Sequence, residues 1–185
     1  QNGELKYNKA FGEVHFSEND TPTNKTVFRL ASMTKPITTV AALILFDRGS
    51  LSPNDTIEKF IPEFSSASIG ELNETGNVIT LCPAKTKIKV AHLLNHTSGL
   101  GCLEIGVKTD NNMSETDKAT LESATKYYST VPLAFEPGSK ASYSPTAAFN
   151  VLARIIEIVS NKSFDKFLKE NLNVNMIDIP WLDVN

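Results

Sequence analysis

Three pairs in this 185-residue sequence set a serine three positions before a lysine: Ser32/Lys35, Ser123/Lys126 and Ser163/Lys166. Residues three apart on a helical turn face the same way, so the amine can reach the hydroxyl. A neutral amine in that place can take the hydroxyl proton and free the oxygen to attack a carbonyl carbon. An ammonium cannot, so the chemistry asks for a lysine whose surroundings disfavour charge. Spacing alone does not choose among the pairs, because about one copy arises by chance in a chain this rich in serine and lysine. Context does. Ser123/Lys126 falls in mid-helix among polar neighbours, and Ser163 reads as a helix cap. Only Ser32/Lys35 opens a strongly apolar helical segment, residues 33–48. A serine at a helix start also feels the positive end of the macrodipole, which favours a developing alkoxide.

Other residues suggest rival chemistries. His92 and His96 stand one helical turn apart, with Cys82 and Cys102 to either side, and so suggest zinc. However, Leu93 occupies the place of the glutamate in His-Glu-x-x-His, and neither cysteine belongs to a Cys-x-x-Cys pair. A Ser-His-Asp triad lacks its Gly-x-Ser-x-Gly elbow. The simpler reading makes His15, His92 and His96 ordinary surface or satisfied histidines and the two cysteines free thiols. No cofactor is implied.

The elements that must position these groups follow from periodicity. Asn2-Gly3 reads as a type I′ turn leading into alternating Leu5, Tyr7 and Lys9 up to Phe11, and a second β segment covers residues 26–30 after a polar connection. In residues 33–48, Ile37, Val40, Ala41, Ile44 and Leu45 repeat at helical spacing. Ala42, Leu43 and Phe46 extend the apolar surface nearly all round, which predicts a central buried helix ended by Gly49. Ser52-Pro53-Asn54-Asp55 predicts a turn, with a short helical piece from Thr56 to before Pro62. Residues 65–86 read as loop, and residues 87–90 as a short β segment running into His92. One helix is expected from a Ser114 cap to about Tyr128. The next has Ser144 as N-cap, Pro145 at its first position, a stripe of Phe149, Leu152, Ile155, Ile156 and Val159, and Asn161 as C-cap. Ser163 caps a last helix through Leu172. Strands first and helices after make the class α+β.

Composition excludes several functions. Eighteen basic against 21 acidic side chains, with 41% hydrophobic residues, describe an ordinary globular chain. The longest apolar run, residues 40–46, is too short to span a bilayer, so no transmembrane segment is expected. No basic cluster offers a phosphate-binding surface, which argues against nucleic acid. Asn-x-Ser/Thr sequons begin at Asn19, Asn24, Asn54, Asn73, Asn95, Asn112 and Asn161, a lean toward an extracytoplasmic or secreted chain.

Phe28-Arg29-Leu30-Ala31-Ser32-Met33-Thr34-Lys35-Pro36-Ile37-Thr38 resembles the nucleophile motif of the serine β-lactamase-related superfamily. That group includes class C β-lactamases, D,D-peptidases, D-aminopeptidases and esterases. The likeness continues in order. Leu93-Leu94-Asn95-His96-Thr97-Ser98-Gly99-Leu100 is similar to its Leu-Leu-x-His-Thr-Ser-Gly-Leu segment. Phe135-Glu136-Pro137-Gly138-Ser139 with Tyr143-Ser144 resembles its Pro-Gly-x…Tyr-Ser element, and the helix from Val151 resembles the one that follows. The resemblance implies Ser32 as acylated nucleophile, Lys35 as its basic partner and Tyr143 as proton shuttle. It implies the helical region and N-terminal strands of a β-lactamase/transpeptidase-like fold: residues 1–31 as sheet strands, 32–185 mainly helical. The implied substrate is a small molecule or peptide bearing an ester, amide or β-lactam, processed through an acyl-enzyme.

Two departures accompany it. Pro145 replaces the Asn of Tyr-x-Asn, which leans toward an esterase, and the late Lys/His-x-Gly motif has no counterpart before the chain closes near Met176 and Trp181. A partial domain is therefore expected. The alternative function is a catalytically incomplete fragment or pseudoenzyme acting as a binding, sensor or assembly module.

Overall fold

The computed structural model describes residues 2–14, 21–73 and 78–172. His15, Asn19 and the stretch containing Met176 and Trp181 lie outside the described residues. The chain divides into two units, Gln1–Ala31 and Ser32–Asn185.

In the first unit, Asn2 and Gly3 adopt φ of 53° and 79°, as the expected turn requires. The strands expected at residues 5–11 and 26–30 do not appear among its described residues. Leu5, Tyr7 and Phe11 are exposed. Alternation makes a strand only where a neighbour supplies the ladder, and no strand pairs with these segments among the described residues. Local bonds shape residues 23–26 instead: Thr26 N–H donates to the Thr23 carbonyl at 3.1 Å and Thr23 N–H to Thr26 Oγ1 at 2.8 Å.

A 3₁₀ turn, Ala31–Met33, begins on the last residue of the first unit and runs into α1 (Thr34–Asp47) of the second. Gly49 ends the helix in the left-handed region, φ 69°, and its N–H donates to the Phe46 carbonyl at 2.9 Å. α1 is less buried than its composition suggests. Thr38, Ala41, Ala42 and Leu45 form one buried face, while Val40 and Leu43 on the opposite face stay 42% and 47% exposed. At 100° per residue those two sets fall on opposite sides of the cylinder. The more deeply buried helix is α6, below, whose first half is buried on every side.

After 3₁₀ turns at Ile57–Lys59 and Pro62–Ser66, residues that read as loop form an antiparallel pair, β1 (Ser68–Leu72) and β2 (Val78–Pro83). Ile69 faces Cys82 and Gly70 faces Leu81 in register. Leu133 docks on the other edge of β1, donating to the Ser68 carbonyl at 2.7 Å and accepting from Gly70 at 2.9 Å. The β segment expected at residues 87–90 reduces to a single bridge between Thr56 and Lys89, and Val90 already starts α2 (Val90–Leu94). α3 (Leu103–Asn112) was not legible, since Gly106 and the exposed Leu103 and Val107 break its apolar stripe.

The helix expected over 114–128 is two: α4 (Glu115–Lys118) and α5 (Leu121–Ser129). Ser114 with Asp117, then Thr120 with Ser123, build reciprocal capping boxes, and the second cap interrupts the run. α6 (Ala147–Ser160) is the core helix, packed against α1, α2, α5 and α7 (Phe164–Leu172). Its Ala147, Ala148, Phe149, Val151, Leu152, Ala153, Ile155 and Ile156 are all buried. Each full Leu or Ile burial stabilises by about 1.5–3 kcal/mol. Asn161 closes α6 at φ 54°, as expected of a left-handed cap. None of the helices among the described residues is long and apolar enough to cross a membrane.

Candidate active site

The 3₁₀ turn that precedes α1 puts Ser32 at its exposed mouth and Lys35 in the first turn of the helix proper. The lysine Nζ donates to Ser32 Oγ at 3.1 Å, so the three-residue spacing yields the contact it promised. Ala31, immediately before the serine, holds φ 44°, a left-handed angle that costs about 1–3 kcal/mol for a residue with a Cβ. No sequence signal marked it.

Tyr143 arrives from more than a hundred residues away. Its hydroxyl shares a 2.6 Å hydrogen bond with Ser32 Oγ, and Lys35 Nζ lies 5.0 Å from the centre of its ring. The bond to Ser32, then the bond and charge of Lys35, hold the Tyr143 phenol below its ordinary range despite some desolvation. Tyr143 is 52% exposed and Ser32 is exposed, so the pair lies at the surface.

Two partners were missed in the sequence. The Pro145 carbonyl accepts from Lys35 Nζ at 2.6 Å, so the position where the resemblance sought an asparagine amide serves through its backbone. His96, at φ 59°, accepts the Ser144 N–H on Nδ1 at 3.1 Å and stacks 4.9 Å from Tyr143 and 5.5 Å from Phe149. An accepting Nδ1 leaves the neutral ring's proton on Nε2. Burial, then the charge of Lys35, lowers the His96 pKa. The His-Thr-Ser-Gly turn was the available signal for this residue.

That turn is held close to α6 by glycine. At Gly101, φ 60°, an added Cβ would lie 2.5 Å from the Ala147 Cβ, and at Gly106 it would lie 2.3 Å from the Gly101 carbonyl carbon. Only hydrogen fits at either.

The rival residues take other work. His92 accepts the Lys89 N–H on Nδ1 at 3.2 Å. Cys82 is exposed and Cys102 buried, both free. The Cys102 thiol donates to the Ser142 carbonyl at 3.2 Å, and burial pushes its pKa up to about 11. Among the described residues no three His, Cys, Asp or Glu side chains gather to hold a metal. Ser123 is spent on the α5 cap and Lys126 pairs with Glu122 at 3.6 Å. The Ser163 carbonyl accepts the Phe167 N–H at 2.9 Å at the start of α7.

Residues 1–173 match the family model described as Beta-lactamase. The chain belongs to the beta-lactamase family. It is 30% identical to esterase EstB of Burkholderia gladioli over 167 residues, 85% of this chain and 38% of that protein. It is likewise 30% identical to the D-alanyl-D-alanine-carboxypeptidase/endopeptidase AmpH of Escherichia coli K12, over 92% of this chain and 40% of AmpH. Among solved structures, unliganded simvastatin synthase (LovD) of Aspergillus terreus superposes with a TM-score of 0.68 at 28% identity, over 92% of this chain and 44% of that one. FmtA from Staphylococcus aureus shares the fold, with a TM-score of 0.70 at 23% identity over 93% of this chain and 41% of that one. The chain thus spans about two fifths of the length of these relatives. Family members are serine hydrolases and acyltransferases acting on esters, amides or β-lactams.

Proposed function

We propose that this chain forms an acyl-enzyme at Ser32 on an ester, amide or β-lactam carbonyl. The observation that carries the reading is one oxygen, Ser32 Oγ, held at once by Tyr143 OH at 2.6 Å and Lys35 Nζ at 3.1 Å. In the first half-reaction the Ser32 hydroxyl proton passes to the Tyr143/Lys35 pair as Oγ bonds to the carbonyl carbon. The same pair returns the proton to the leaving oxygen or nitrogen as its bond to that carbon breaks. Water, or an alcohol in a transferase, then repeats the sequence in reverse. Lys35 Nζ lies against the Tyr143 ring and helps hold its phenol below the ordinary range, so the base is written as the pair and not as one of its members. The Ser32 N–H serves as one oxyanion donor.

An ester is the favoured substrate class. Position 145 offers its carbonyl to Lys35, and as a proline it has no side-chain amide with which to orient a lactam. The test is a fluorophosphonate probe with peptide mapping. Labelling confined to Ser32, and lost in Ser32→Ala, supports the proposal. A chain that leaves Ser32 unlabelled, or labels equally in Ser32→Ala, overturns it and returns the molecule to a binding or assembly role.

A further inference from the structure

Four consecutive residues, 143–146, are each tied to a different group. Tyr143 OH meets Ser32 Oγ, Ser144 N–H donates to His96 Nδ1, and the Pro145 carbonyl accepts from Lys35 Nζ. The fourth bond leaves the site: Thr146 Oγ1 donates to Asp110 Oδ2 on α3 at 2.8 Å.

That bond stands where local preference and observed structure part. Ser144 followed by Pro145 is a strong signal for a helix starting at Pro145. Had α6 begun there, the Pro145 carbonyl would accept the Phe149 N–H in the helical ladder. Instead α6 begins at Ala147, Thr146 holds φ −127° and ψ −57°, and the first ladder bond is from Asn150 N–H to the Thr146 carbonyl at 3.0 Å. Ser144 Oγ still caps, accepting the Ala148 N–H at 3.1 Å. The delay of two residues is what frees the Pro145 carbonyl for Lys35.

We infer that Asp110 is a positioning residue for the catalytic turn: by accepting the Thr146 hydroxyl it keeps Thr146 out of the helix and the Pro145 carbonyl on Lys35. Its own seat is firm. The carboxylate also accepts from the hydroxyl of fully buried Tyr128 on α5, at 3.5 Å, so α3 and α5 together anchor the turn. The inference rests on the proposed roles of Lys35 and Tyr143, but its structural half can be read without turnover.

The experiment uses the whole chain with tyrosine labelled at Cζ. Thr146→Val removes the donor and leaves the Asp110–Tyr128 pair in place, Asp110→Ala removes the acceptor, and Thr146→Ser keeps the hydroxyl. The expected result is that Thr146→Val and Asp110→Ala each slow fluorophosphonate labelling of Ser32 by about tenfold or more, with the double variant no slower than the slower single one. Both should move the Tyr143 titration toward that of an ordinary phenol, while Thr146→Ser stays within about twofold of the parent rate. If Asp110→Ala fails to fold, Thr146→Val decides. A folded Thr146→Val with unchanged Tyr143 titration overturns the inference. A parent chain that never labels, but whose Tyr143 titration moves in Thr146→Val, sustains the brace and defeats the acyl-enzyme reading.

Discussion

At the scale of single residues, the pair around Ser32 Oγ sets the clearest expectation. Tyr143→Phe removes a hydroxyl 2.6 Å from Ser32 Oγ and nothing from the core, since Tyr143 is half exposed. Acylation by an activated ester should slow by about 10²–10⁴-fold with the fold intact, the usual loss on deleting a general base. Burst kinetics would measure it, and a loss under about fivefold would remove Tyr143 from the proton path. His96 sets a second expectation, on pH. Its pKa is lowered in the folded state, first by burial and then by Lys35, so the unfolded chain binds the proton more readily. Stability from a neutral His96 is therefore fully present above about pH 6.5 and is lost as pH falls through the lower folded value. His92, also lowered by burial, adds to the same slope. Thermal midpoints measured from pH 7 to 5 should fall less steeply in His96→Asn, whose amide oxygen can still accept the Ser144 N–H without titrating. That Ser32, Lys35 and Tyr143 meet was legible because each sits in an ordered motif. Asp110 and the Pro145 carbonyl were not, since one lies far from any motif and the other carries its function on the backbone.

At the scale of elements, packing overruled composition. α1 and α6 both read as apolar, yet α6 packs against four helices and buries nine of its fourteen residues, while α1 buries four and shows Val40 and Leu43 to solvent. Periodicity gives the buried face of each helix; it cannot count the neighbours that will cover the other faces. The contrast predicts unequal costs in this chain. Ile155→Ala, in the middle of α6, should lower stability by about 2–5 kcal/mol, whereas Val40→Gln should stay within about 0.5 kcal/mol. Urea midpoints at constant m-value would test both. The split of one expected helix into α4 and α5 has the same lesson in miniature, because Thr120 and Ser123 compete locally for the backbone and win. β1 and β2 were missed because Gly70 and the polar residues around them mask the alternation, and a long-range edge, Leu133, completes the pairing.

At the scale of the whole molecule, the residues proposed for the chemistry belong to one unit. Ser32, Lys35, His96, Asp110 and Tyr143 all fall within Ser32–Asn185. The described part of Gln1–Ala31 has no helix or strand apart from Ala31, which opens the 3₁₀ turn, and Lys6, Lys9 and Lys25 are exposed on it. Backbone with few internal hydrogen bonds is what a protease cuts first. Limited trypsin digestion should therefore cleave after Lys6, Lys9, Lys25 and Arg29 before it reaches α5 or α6. Lys35 is doubly shielded, by its place in α1 and by Pro36 on its carboxyl side. Mass analysis should find a protected fragment that starts after Lys25 or Arg29 and retains Ser32. That fragment, exposed to the fluorophosphonate probe, should label at a rate within about threefold of the intact chain if the second unit alone orders the Ser32–Lys35–Tyr143 constellation. Early cleavage inside α6, at Arg154, would contradict the packing described for the core helix. A protected fragment that no longer labels would instead assign part of the site's order to the residues removed, and so locate there a contribution beyond the side chains of Ser32, Lys35 and Tyr143.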